Sequence, residues 1–204
     1  MKKSLKRLII DSATKYLYIA LYEDLECLGK YYKSGNNDHS TKLMVEIERI
    51  FKKNNLKVAD LDEIIIGIGP GSYTGLRIGV VVAKMFGWNN NILVRTISSL
   101  ALIASSSNTE DLIVSEIDAR RGNSFIGVYK NDGKGLILTE KEVLTNLIEF
   151  TNSLNEPYEI ISNGETNLEK ILNSNLLTNI KDIHSLNPNY LRITEAERNL
   201  KQIK

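Results

Sequence analysis

One cysteine, Cys27, stands in a chain of 204 residues. No intrachain disulfide can form, and no cysteine cluster can hold zinc. Cys27 has no histidine nearby to activate it and reads as an inert thiol. The only histidines are His39 and His184, far apart in the chain. Neither H-E-x-x-H nor G-x-S-x-G occurs, so hydrolase readings lack a base or nucleophile constellation. Charge of one sign is also scarce. The 26 Lys and Arg against 25 Asp and Glu leave a net charge of +1, no footprint for gripping RNA or DNA unaided. The apolar stretches fall well below a membrane span. The opening "MKKSLKRLIIDSATK" is basic, but its apolar run of Leu8, Ile9 and Ile10 is too short for a signal peptide. The expected location is cytoplasmic, with no membrane partner.

What is present is an ordinary globular composition, 42% hydrophobic and 25% charged. A chain this long buries roughly 70% of its unfolded surface and fits one domain or two small lobes. Residues 7–13, 16–24 and 26–34 read as three strands joined by short turns, an antiparallel meander. A helix follows over 40–54, with Leu43, Ile47, Ile50 and Phe51 at helical spacing. "IIIGIG" (64–69) is apolar throughout, as an inner parallel strand covered on both faces is. A loop and a long helix come next, then the strand "NILVRTI" and the short helix "SSLALIASSS". The pattern then restarts. "LIVSEIDAR", "NSFIGVYKND" and "GLILTEKEV" form a second set of three strands, followed by a helix over 145–154 and a strand over 158–162. Both openings place Asp at the end of the first strand. The reading is a duplicated lobe, with a boundary near 105–111 giving lobes 1–107 and 108–204, the second reduced. The tail "NPNYLRITEAERNLKQIK" is expected to end in a basic amphipathic helix carrying Arg192, Arg198, Lys201 and Lys204.

The densest motif is "GIGPGSYTGLRIGVVVAKMFGW", 67–88. Glycines between a buried strand and a helix N-terminus suit an anion. The details argue against the common nucleotide loops. No Lys follows Gly75 as Walker A requires, the third glycine comes one place late for G-x-G-x-x-G, and Pro70 removes an N–H. Gly71, Gly75, Gly79, Ala83 and Gly87 instead fall four apart, on one ridge of a helix. Interior glycine costs about 0.5–1 kcal/mol relative to alanine, so such a ridge needs close approach of another backbone to offset it. Two readings stay open. Either the ridge packs inside its own lobe, or it and the adjoining apolar face are completed by a second chain. The candidate partner surface is Gly71, Tyr73, Thr74, Gly75, Arg77, Ile78, Gly79, Val82, Ala83 and Phe86. Arg77 and Lys84 share the helix's narrow polar stripe.

These residues carry a resemblance. "LIIDSAT", "DHS", "GIGPGSYTGLRIGVVVAK", "SSLALIA", "IDARRGNSFIGVY" and "PNYLR" occur in the order found in the TsaB (YeaZ) family. The resemblance implies an α/β fold of the actin/hexokinase/Hsp70-like (ASKHA) class, with a ribonuclease H-like motif in each of two related lobes. It implies a role in making threonylcarbamoyladenosine next to the tRNA anticodon, as the non-catalytic partner of the transferase TsaD, joined by the ATPase TsaE. It also implies pairing through N-lobe helices, homodimers when TsaD is absent, and only indirect contact with tRNA. The wider family also carries the label glycoprotease or peptidase M22. The metal site of TsaD needs two histidines four apart on a helix; here His39 is followed at that spacing by Leu43.

In this fold, nucleotide sits between two turns. The first is Asp11, Ser12, Ala13 and Thr14; the second runs from Asp118 through Ala119, Arg120 and Arg121 to Gly122. Asp11, Ser12, Thr14, Asp118 and Arg120 are therefore the candidate nucleotide residues, read as vestigial, because the bulk of two arginines obstructs a buried phosphate. No catalytic residue, metal or resident cofactor is expected, with at most weak nucleotide binding in the assembled complex. The competing readings are an autonomous enzyme of the same fold, phosphotransferase or glycoprotease-like peptidase, and a purely self-associating module.

Overall fold

The computed structural model describes residues 3–35 and 38–191. Arg192, Arg198, Lys201 and Lys204, with the expected terminal helix, lie outside the described residues.

The first sheet has six strands, in the order β10 (Thr178–Asn179), β5 (Leu93–Ile97), β4 (Glu63–Gly67), β1 (Lys6–Asp11), β2 (Tyr16–Glu23) and β3 (Glu26–Ser34). Strands β1, β2 and β3 form the expected antiparallel meander. Strands β4 and β5 extend it in parallel from β1. The pleat divides the apolar runs between two cores. Leu8, Ile10, Ile64 and Ile66 face one cluster together with helices α1 (His39–Lys53) and α2 (Tyr73–Asn90). Ile9 and Ile65 face the other, under the fully buried helix α3 (Ser99–Ala104). Burial on both faces explains why β4 is apolar without alternation.

The second sheet has four strands, β8-β7-β6-β9. Strands β6 (Leu112–Asp118), β7 (Ser124–Asn131) and β8 (Leu136–Thr145) repeat the meander, and β9 (Tyr158–Ile161) runs parallel to β6. Helix α4 is confined to Leu147–Asn152 because Thr145 belongs to β8 and Asn146 caps the helix, its Oδ1 accepting from the Ile148 and Glu149 amides. The lobes share a core: Ile113 and Phe125 pack in the cluster that holds Ile9 and Ile65, and Ser115 Oγ donates to Leu100 O at 2.8 Å.

The C-terminal segment departs from the assignment of 108–204 to the second lobe. After α5 (Leu168–Leu172) the chain leaves that lobe, and β10 (Thr178–Asn179) pairs antiparallel with β5 at the edge of the first sheet. Ile180 N then donates to Val94 O at 3.0 Å, Leu186 enters the first core, and Asn189 N donates to Ile68 O at 2.7 Å. A two-residue strand and one isolated core leucine leave no periodic trace, which is why the return was invisible in the sequence.

Candidate partner surface and interlobe turn

Helix α2 starts where Ser72 caps it, Ser72 Oγ accepting from Gly75 N at 3.2 Å. It ends at Asn91 in a left-handed conformation. Its small-residue ridge faces inward. A Cβ added at Gly75 would stand 2.1 Å from Ser12 O, and one at Gly79 2.6 Å from Ser12 Oγ. At Gly87 it would meet Val94 Cγ2 at 2.6 Å, and at Gly71 it would meet Ala13 O at 2.3 Å. Ala83 is fully buried, and Val82 and Phe86 belong to the first core. The close approach that offsets the glycine cost is therefore to the chain's own sheet. Of the expected partner residues, Gly75, Gly79, Val82, Ala83 and Phe86 are buried, Gly71 and Ile78 are half-buried, and only Tyr73, Thr74 and Arg77 are exposed.

The opposite side of α2 carries a second ridge, Tyr73, Arg77, Val81 and Met85, ending at Trp88, all exposed. Trp88 is 69% exposed. Starting two residues from Gly75, this four-residue series lies about 200° around the helix from the glycines. Beside Met85 and Trp88, an open groove of about 520 Å³ extends toward Val58 and Ala59. On α1, Met44 and Val45 are exposed as well. Val81, Met85 and Trp88 are apolar in the sequence, and the structure leaves them exposed on the side of α2 away from the glycines.

The returning C-terminal segment borders this ridge. Ile183 packs toward Gly87, Lys84 Nζ donates to His184 O at 3.0 Å, and the His184 ring lies edge-on to Trp88 at 5.8 Å. At the other end Tyr190 stacks on Tyr73 at 4.8 Å and its hydroxyl accepts from Arg77 Nε at 3.1 Å.

The two expected nucleotide turns share one local device and differ in setting. Asp11 ends β1 and its Oδ1 accepts from Ala13 N at 2.7 Å; Asp118 ends β6 and its Oδ1 accepts from Arg120 N, also at 2.7 Å. Asp11 is buried and Asp118 exposed. Burial pushes the Asp11 carboxyl up to about 6, against the opposing pull of its bonds to Ala13 and Ser99 and of His39. The rest of the first turn is committed to the helices. Ser12 Oγ donates to Gly75 O at 2.8 Å, Ser72 N donates to Ala13 O at 2.6 Å, and His39 Nε2 donates to Thr14 O at 2.8 Å. Thr14 Oγ1 accepts from Tyr16 N at 3.0 Å. In the second turn Arg120 and Arg121 both have positive φ, 65° and 56°, and both are exposed at the hairpin tip. Asp11 and Thr14 line a cavity between the lobes with Tyr16, Tyr32 and Gly164; Asp118 and Arg120 do not. Its free space of about 20 Å³ is room for one water.

A family model described as "TsaD: tRNA N6-adenosine threonylcarbamoyltransferase" matches residues 33–169. The chain is 29% identical to the Bacillus subtilis tRNA threonylcarbamoyladenosine biosynthesis protein TsaB, over 93% of this chain and 95% of that one. It is 26% identical to the Escherichia coli TsaB protein, over 63% of this chain and 57% of that one. Among solved structures it superimposes on YeaZ from Pseudomonas aeruginosa with a TM-score of 0.65, at 23% identity, covering 69% of this chain and 67% of the other. A second structure, described as similar to the peptidase YeaZ from Pseudomonas aeruginosa, gives a TM-score of 0.76 at 18% identity, over 92% of this chain and all of the other. The fold is thus the actin/hexokinase/Hsp70-like one, with two related lobes. The match over two thirds of its length, together with the TsaB relatives, shows that this chain belongs to the threonylcarbamoyltransferase family and, within it, to the TsaB (YeaZ) proteins.

Proposed function

We propose that this chain acts in the formation of threonylcarbamoyladenosine in tRNA as the non-catalytic subunit that pairs with a TsaD-like transferase. A TsaE-like ATPase joins the pair, and tRNA is met through the assembly. The observation that carries this reading is the outward ridge of α2, where Val81, Met85 and Trp88 stand exposed in line. Three large apolar side chains exposed together on one helix face form the kind of patch that marks protein–protein contact. In the absence of the transferase the same ridge serves a homodimer.

The interlobe turn supports the non-catalytic role. Ala13 N–H, a donor that a phosphate would use, is taken by Asp11, and Ser12 Oγ is taken by Gly75 O. The free space beside Asp11 is that of one water. Nucleotide binding by the isolated chain is therefore weak, and no cofactor resides in it. The raised Asp11 carboxyl favours a second reading, an autonomous enzyme with Asp11 as acid or base; its engagement with Ala13 beside so little free space argues for the first. No helix among the described residues is long and apolar enough to cross a membrane, and the reading places the assembly in the cytoplasm, where tRNA is modified.

Reconstituted tRNA modification with the transferase, the ATPase and this chain tests the proposal. Omitting this chain should abolish or strongly reduce threonylcarbamoyladenosine formation, and Asp11→Asn should leave it intact. Full activity without the chain would sink the subunit role. Loss of activity in a folded Asp11→Asn protein would favour the enzyme reading.

A further inference from the structure

Helix α2 has two charged residues, Arg77 and Lys84, and the C-terminal segment meets both. It meets them differently. Lys84 is half-buried, with its ammonium on the His184 carbonyl. Arg77 is exposed, yet held: its guanidinium carbon lies 4.0 Å from the centre of the Tyr73 ring, and its Nε donates to the hydroxyl of Tyr190, which stacks on the same ring. Of the five N–H donors of the fork, that bond uses one. Among the described residues Tyr190 is the one acceptor within hydrogen-bond geometry, and the Tyr73 hydroxyl adds a weaker attraction. A long side chain is thus partly ordered before any partner arrives, which lowers the ordering cost of the binding step. The planar fork of a stacked arginine matches a carboxylate in bidentate fashion, as a lysine does not.

We propose that Arg77 is the anchoring donor of the docking surface and takes a carboxylate from the partner protein, with Tyr73 and Tyr190 as the residues that position it. The inference rests on the pairing function proposed above and names the group that gives that pairing its register. A protein carboxylate is favoured over an RNA phosphate because the ridge continues from Arg77 as Val81, Met85 and Trp88. RNA affinity rests on several cations acting together, and this ridge offers one.

The test is titration of the TsaD-like subunit from the same organism into the full-length chain at low and high salt. The proteins are wild type, Arg77→Lys, Arg77→Met and Tyr190→Phe. Arg77→Met and Arg77→Lys should weaken binding by about 10-fold or more, the range of a truncated interface anchor. Arg77→Met should also flatten the salt dependence, because the screened charge pair is gone. Tyr190→Phe keeps the stack and loses the hydroxyl, so it should weaken binding only a few-fold and keep the salt dependence. All variants should unfold at the wild-type denaturant midpoint. Wild-type affinity in Arg77→Met overturns the proposal. So does an affinity loss that tracks a lowered midpoint, which would make Arg77 a clamp for the chain end. Loss of binding to an anticodon stem-loop, with subunit binding unchanged, would assign the fork to RNA. If the wild-type chain fails to bind the subunit at all, the pairing function itself falls, and this inference with it.

Discussion

Ser12 and Gly75 are in contact twice over: the serine hydroxyl donates to Gly75 O at 2.8 Å, and the serine carbonyl lies where a Cβ on Gly75 would be, 2.1 Å away. The turn that ends β1 is therefore seated directly on the first turn of α2. Gly75→Ala should destabilise the protein by about 1–3 kcal/mol, the range for overpacking against backbone that has nowhere to move. The gain of about 1 kcal/mol in helix propensity is too small to reverse the sign. Urea unfolding measures it; a midpoint at or above wild type would contradict the inward orientation of the ridge.

The outward ridge should behave in the opposite way. Trp88→Ala and Val81→Ser remove exposed side chains, so stability should stay within about 0.5 kcal/mol of wild type. Affinity for the transferase subunit should fall by about 10-fold for Trp88→Ala. Calorimetric titration beside thermal unfolding separates the two effects. Unchanged affinity in both variants would move the docking surface elsewhere.

Asp11 predicts a pH dependence of definite sign. Its folded-state value is about 6, above the roughly 3.9 of an unfolded aspartate. The folded state therefore holds the proton more tightly, and stability from this group is present in acid and lost as pH rises from about 4 to about 6. At pH 7–8 the charged, buried carboxylate costs up to about 3 kcal/mol at 1.36 kcal/mol per unit. Asp11→Asn, which keeps an acceptor for Ala13 N, should stabilise the protein by about 1–3 kcal/mol at pH 8, with the advantage vanishing below about pH 4. Guanidinium melts at both pH values check it. A destabilised variant at pH 8 would mean that the ionised carboxylate is needed where it stands.

Leu186 is the last described residue with a buried apolar side chain, and it belongs to the first core. Leu186→Ala should cost about 2–5 kcal/mol, as a buried leucine truncation does. The loss should be local to the first lobe, with faster amide exchange at Ile180 and Asn189, which bond to Val94 O and Ile68 O. Exchange that rises instead in β6 and β7 would show that the segment supports the second lobe.

Much of this architecture was legible because it is written in periodicity. The two meanders, α1 and the doubly covered β4 follow from which residues are apolar and how they alternate. The duplication extends to hydrogen bonding, since Asp11 and Asp118 each cap the turn that follows their strand. The direction of the glycine ridge was not legible. A four-residue repeat of small side chains states that some backbone comes close, and a sheet and a second chain offset the same cost per glycine. The site at Arg77 was half legible. Its exposed position on the helix could be read, whereas Tyr190 lies 113 residues away and reaches it only through the return of the chain end. The unequal burial of Asp11 and Asp118 was hidden for a related reason, because it depends on how closely the lobes meet.

The return of the chain end also sets an order of events during synthesis. Domains generally fold from the N-terminus as the chain emerges, yet the outer edge of β5 is paired only by β10 and Leu186 completes the first core. The flank of α2 that holds Lys84 and Arg77 forms only when His184 and Tyr190 have been made. A copy cut before His184 would keep Val81, Met85 and Trp88 on α2 but lose the hydrogen bonds that hold Lys84 and Arg77 beside them.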